Sequence, residues 1–130
     1  MNTRNVHQVV LIEAPVNAVY SMLMNPRKHS KLSGHKATVS PREGSKFSVW
    51  GGGLHGFTLI AVPNKHIVQA WRSEEWPKHH YTVASYTFKK VGKGTKLVFD
   101  QYGVTSPNYR DISDGWKTYY WNPMKKLLEK

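Results

Sequence analysis

The chain has 130 residues, about one domain's length, and its 39% hydrophobic content can supply one core without covalent staples. It holds no cysteine, which excludes a disulfide scaffold, a thiol nucleophile and a thiolate zinc site, and fits a reducing, cytoplasmic setting. Nineteen Lys and Arg against eight Asp and Glu give a formal net charge of +11, a field that draws polyanions without dictating a fold, and no apolar run approaches the ~20 residues that span a bilayer.

Residues 1–8 carry no apolar signal-peptide core. Val6, Val9, Val10, Leu11 and Ile12 then form a β-branched run that stops at Glu13-Ala14-Pro15, and the first strand is expected there. Pro15 suits a helix start, and Val16, Val19, Tyr20, Leu23 and Met24 recur at helical spacing up to Asn25-Pro26. A second short helix is predicted over 27–34, with Ser33-Gly34 as its stop.

From Lys36 to Tyr102 the punctuation is that of an antiparallel meander. Strands are predicted over 37–40, 46–50, 55–62, 66–72, 81–89 and 95–102, separated by glycine, proline or asparagine turns. No repeat or low-complexity linker interrupts the chain, so 1–130 is read as a single domain. Beyond Tyr102, Ser106 is a candidate N-cap and Pro107 a first helical residue. At 100° per residue Ile112, Trp116, Tyr119, Tyr120, Pro123 and Leu127 share one face, and Pro123 predicts a bend. The order strand, two short helices, strands, long helix implies an α+β fold in which a curved antiparallel sheet of six or seven strands grips the C-terminal helix.

The ordered set Lys65-His66-Ile67-Val68, Trp71-Arg72, Trp76-Pro77, His80-Tyr81 and Thr87-Phe88 resembles the C-terminal domain of the activator of the ninety-kilodalton heat-shock-protein ATPase. Gly115-Trp116, Tyr119-Tyr120 and Met124-Lys125 resemble that family's last helix, Glu13-Ala14-Pro15 with Val19-Tyr20 its opening strand and helix, and Gly52-Gly53 through Gly56 its glycine-rich hairpin. The resemblance implies the helix-grip fold of the START-related (SRPBCC) superfamily. It also implies two roles: a cavity for a small apolar ligand, or a co-chaperone-like contact with a heat-shock ATPase. In the eukaryotic co-chaperone a separate N-terminal domain makes a principal contact with the chaperone. These 130 residues hold no counterpart to it, so fold is implied ahead of ATPase stimulation.

Strand alternation places Ile67, Gln69 and Trp71 on one face of their strand, and likewise Leu97, Phe99 and Gln101 on one face of theirs. Candidate cavity residues are Trp50, Phe57, Gln69, Trp71, Tyr86, Phe99, Gln101, Trp116 and Tyr120, with the two glutamines as polar handles for a ligand or, equally, satisfied by core neighbours. Lys117, Trp121, Met124 and Leu128 project off the helix's main stripe and are candidates for a protein interface, weighed against packing on the first strand or short helices.

The seven histidines form no HExxH-type ligand set, so no metal or cofactor is expected. Asp111 and Asp114 suit the start of a helix, and no serine sits in a nucleophile elbow. Gly51-Gly52-Gly53 is followed by neither a Lys-Ser pair nor a helix, which argues against a phosphate loop. A non-enzymatic binding module is therefore expected. Nucleic-acid binding rests on net charge alone, without an RNP-type signature or a helix-turn-helix.

Overall fold

The computed structural model describes residues 2–129. Six strands form one antiparallel sheet in the order β1-β6-β5-β4-β3-β2: β1 (Thr3–Ile12), β2 (Lys46–Val49), β3 (Leu54–Val62), β4 (His66–Ser73), β5 (Thr82–Val91) and β6 (Gly94–Thr105). Helices α1 (Val16–Met24) and α2 (Pro26–Ser33) follow β1, and α3 (Tyr109–Trp116) and α4 (Asn122–Leu128) make the C-terminal helix. This is the helix-grip architecture that the element order implies.

Burial follows the two-residue period of extended chain. Along β1, Val6, Gln8, Val10 and Ile12 are buried and their neighbours exposed. Ile67, Gln69, Trp71 and Ser73 of β4, Thr82, Ala84, Tyr86 and Phe88 of β5, and Thr95, Leu97, Phe99 and Gln101 of β6 continue that face across the sheet. Register shifts between Arg4 and Val6 and between Thr58 and Ile60 mark bulges, which sharpen twist and help the sheet curve. Gly56 has no substitute at its crossing of β4, because a Cβ there would lie 1.7 Å from the Ala70 carbonyl oxygen.

Local chemistry sets the helix ends. Asn25 Oδ1 accepts the Lys28 N–H at 3.1 Å, Pro26 opens α2, and Gly34 closes it at φ 76°. Three expectations need correction. The strand predicted over 37–40 is reduced to one bridge between Thr38 and Ser48, since Pro41 cannot extend a ladder. Ser106 caps no helix, for Ser106–Asn108 forms a 3-10 turn ahead of α3. Instead of a simple bend at Pro123, Lys117–Trp121 forms a π turn in which the Asn122 N–H reaches the Lys117 carbonyl, five residues back. The widened turn relieves the crowding that a proline ring imposes on the carbonyl four residues earlier, that of Tyr119.

That turn inserts one extra residue and rotates everything after it. The inward stripe runs Trp116, Tyr120, Trp121, Met124, while Tyr119 is 55% exposed and Pro123 is only half-buried. Trp121 and Met124, candidates for an interface or for packing on the first strand or short helices, are core, 2% and 0% exposed, so the packing alternative holds for them. Lys117 does project into solvent, and Leu128 is half-buried.

Candidate functional site

Under the helix the tryptophans are tied down by a repeated device. Trp121 Nε1–H donates to Gln8 Oε1 at 2.6 Å, Trp71 Nε1–H to Gln69 Oε1 at 2.9 Å, and Trp116 Nε1–H to Gln101 Oε1 at 2.7 Å. Each glutamine then spends its amide on a neighbour: Gln8 on the Ser113 carbonyl, Gln101 on the Thr82 hydroxyl, and Gln69 more weakly on the Thr58 hydroxyl. A buried indole N–H and a buried amide each need a partner, and pairing them satisfies both. Gln69 and Gln101 are thus engaged by the protein itself, which is the second of the two roles weighed for them.

Trp50 follows β2 with φ 56°, a left-handed conformation that costs a bulky side chain energy. Its ring is held there by Tyr119 and Tyr120, with centroids 5.5 and 6.0 Å away, and by an indole N–H donated to the Tyr120 hydroxyl at 3.1 Å. Tyr120 in turn meets His29 Nε2 at 2.9 Å, while His29 Nδ1 faces the Leu23 carbonyl at 3.0 Å. A carbonyl only accepts, so Nδ1 carries the ring proton and Nε2 accepts the Tyr120 O–H. Burial holds the His29 pKa below the ordinary imidazole value, partly offset by the Leu23 carbonyl, and pushes the Tyr120 hydroxyl well above the usual tyrosine range.

A cleft of about 420 Å³ opens where α3 leaves the sheet. Trp71 and Gln101 of the sheet, Trp116 and Tyr120 of the helix, and Trp50 form its floor and one wall. Leu54 of β3 and Ser73 at the end of β4, Glu75 and Trp76 after it, and Asn108, Asp111, Ile112, Gly115 and Tyr119 on the helix side complete it. The structure thus gathers five of the sequence candidates: Trp50, Trp71, Gln101, Trp116 and Tyr120. Tyr86 and Phe99 are buried core beside Trp116, with centroids 6.0 and 4.3 Å from its ring, and Gln69 lies beneath Trp71. Phe57 is a correction. It lies between inward-facing Gly56 and Thr58, so alternation turns it to the outer face, where it meets Tyr81.

Sequence reasoning passed over Gln8, His29, Trp76 and Tyr119. Gln8 was available from the alternation on β1. Tyr119 was available from the helical spacing that puts it on the face of Trp116. Among the described residues no group of three or more His, Asp or Glu could hold a metal ion, and no helix is long and apolar enough to cross a membrane.

Residues 13–129 match the family described as Activator of Hsp90 ATPase homolog 1-like protein. The chain belongs to this family. It is 32% identical over 92 residues to the human activator of 90 kDa heat shock protein ATPase homolog 1, covering 71% of this chain and 27% of that protein. An uncharacterized Schizosaccharomyces pombe protein is 28% identical over 128 residues, 98% of this chain and 38% of the relative. The chain thus spans little more than a third, or less, of these curated relatives. Its fold superposes on an HSP90 activator from Plasmodium falciparum with TM-score 0.88 at 18% identity, covering 97% and 96% of the two chains. The Aha1 dimer from Colwellia psychrerythraea gives 0.82 at 18% identity, with coverage of 97% and 96%.

Proposed function

We propose that this member of the activator family is a non-enzymatic binding module that holds a small, largely apolar molecule in the cleft between sheet and C-terminal helix. The observation that carries this reading is the 420 Å³ space walled by the rings of Trp50, Trp71, Trp116 and Tyr120. Its volume falls in the range of small-molecule sites, about 300–1,000 Å³, and burial of apolar ligand surface supplies the driving force. Native mass spectrometry of protein purified without lipid stripping, followed by tryptophan fluorescence titration, tests it. Gly115→Leu is the matched control, because a Cβ at Gly115 meets nothing closer than the Tyr119 ring at 3.7 Å and a longer side chain would enter the cleft. Binding by the parent and loss in the variant, at unchanged melting temperature, are expected. Failure of the parent to retain or take up any apolar species removes the reading.

Family membership favours a second reading, a co-chaperone-like contact with a heat-shock ATPase. The exposed Tyr119 and Lys117 on the π turn, with half-buried Leu128, offer an apolar and basic surface for it. A pull-down with the host's ninety-kilodalton heat-shock ATPase and a turnover assay are the tests. Capture lost in Tyr119→Ala and Lys117→Glu supports the contact, and no capture with the parent chain retires it.

A further inference from the structure

The cleft's charge runs against that of the chain. The molecule carries a formal +11, yet the residues lining the cleft include two carboxylates, Glu75 and Asp111, and no Lys, Arg or His. Most of the donors that would suit an anion are also withdrawn, the Trp76 indole and the Tyr119 hydroxyl being left without a partner among the described residues. The indole N–H groups of Trp50, Trp71 and Trp116 are tied to Tyr120, Gln69 and Gln101, the Gln101 amide to Thr82, and the Tyr120 hydroxyl to His29. The Asn108 amide is held by the Thr105 hydroxyl. An aromatic ring has an electropositive edge and an electronegative face, and here three of the four indole N–H edges in the cleft are consumed by the protein. Most of the ring pairs stand steeply to one another, Trp71 to Trp116 at 66°, Trp71 to Tyr120 at 79° and Trp50 to Tyr119 at 75°, while Trp116 and Tyr120 are tilted by 34°. Rings at such angles make the walls of a box.

Taking the cleft to be a ligand site as proposed above, we infer that its ligand class is the apolar organic cation, an alkyl or aryl group bearing an ammonium, and not a fatty acid or another anion. Ring walls attract a cation within about 6 Å of their faces. Glu75 and Asp111 add the matching charge at the rim. Asp111 lies in the first turn of α3, where it also offsets the positive helix end that would otherwise favour an anion, so Glu75 is the carboxylate with no such second duty.

The chain's overall field makes the inference testable, because nonspecific attraction to a +11 protein favours anions. Tryptophan fluorescence titrations would use octyltrimethylammonium, octanoate and 1-octanol below their aggregation limits. The probes share a chain length and differ in charge. Octyltrimethylammonium is expected to bind about fivefold or more tightly than 1-octanol, with octanoate the weakest. In the Glu75→Gln, Asp111→Asn double variant the cation's advantage over 1-octanol should shrink to about twofold, a scale fitting exposed charges. Glu75→Gln alone serves if the double variant melts early. Octanoate matching the cation, or an advantage unchanged in the variants, overturns the inference. Equal binding of all three overturns it too but leaves the cleft as an apolar site, whereas binding of none overturns both.

Discussion

Trp121 and Met124 lie under α1 and α2 against β1, while Trp116 and Tyr120, within two turns on the same helix, floor an open cleft. At both ends an indole is bonded to a strand glutamine, Gln8 at the first and Gln101 at the second. The closed end has a second layer: Val19, Tyr20, Leu23, Met24, His29 and Leu32 of α1 and α2 fill the space beside the helix. The open end has no such layer: besides the sheet and the C-terminal helix itself, the Trp50 turn and the segment after β4 bound it. A buried polar pair therefore does not announce a binding site. What separates core from cleft in this molecule is whether another element lies over it.

The largest test of that contrast is Trp121→Ala, which removes a ring packed on Phe99 and Trp116, with centroids 5.3 and 5.4 Å away, and strips Gln8 of its donor. Denaturant unfolding should show a loss of about 3–5 kcal/mol. A loss below about 1 kcal/mol would mean the closed end is not core and would restore the outward-facing surface.

Between the two ends sits His29, and its effect is a matter of pH. Its folded pKa lies below the ordinary 6.5, so the unfolded chain takes up the proton first as pH falls. The stability contributed by its neutral form is thus full above about pH 6.5 and is lost progressively as pH drops toward the lower folded value. Melting temperatures across pH 5–8 for the parent and His29→Gln should diverge in slope below about 6.5. Parallel curves would place His29 in solvent.

The smallest expected effect lies at Tyr20, whose hydroxyl is buried with no hydrogen-bond partner among the described residues and whose ring packs edge-on to Phe88 at 5.7 Å. Tyr20→Phe keeps that ring and removes the stranded polar atom, so stability should change by less than about 1 kcal/mol, toward greater stability. A loss of 2 kcal/mol or more would reveal a partner for the hydroxyl.

Much of the architecture could be read from the chain because its signals are local. Alternation put Gln69 with Trp71 on one face of β4 and Phe99 with Gln101 on one face of β6, all four buried, and Asn25-Pro26 and Gly34 punctuated the short helices. The same alternation, applied to Phe57, would have turned it outward beside Tyr81. The site was harder to read. Asp111 suited a helix start, Glu75 lies 36 positions earlier in the turn after β4, and nothing in that spacing placed them at one rim.

The sequence by itself determined the order of strands and helices, the faces of the strands and the positive net charge, because each follows from residue type and from neighbours a few positions away. Only the tertiary structure decided the π turn that exchanged Tyr119 for Trp121 on the inward face, the pairing of three indoles with three glutamines, and the cleft. A one-residue change of helical phase costs little locally. It is settled by whether Trp121 can reach Gln8, 113 positions earlier in the chain, and no window along the sequence contains both.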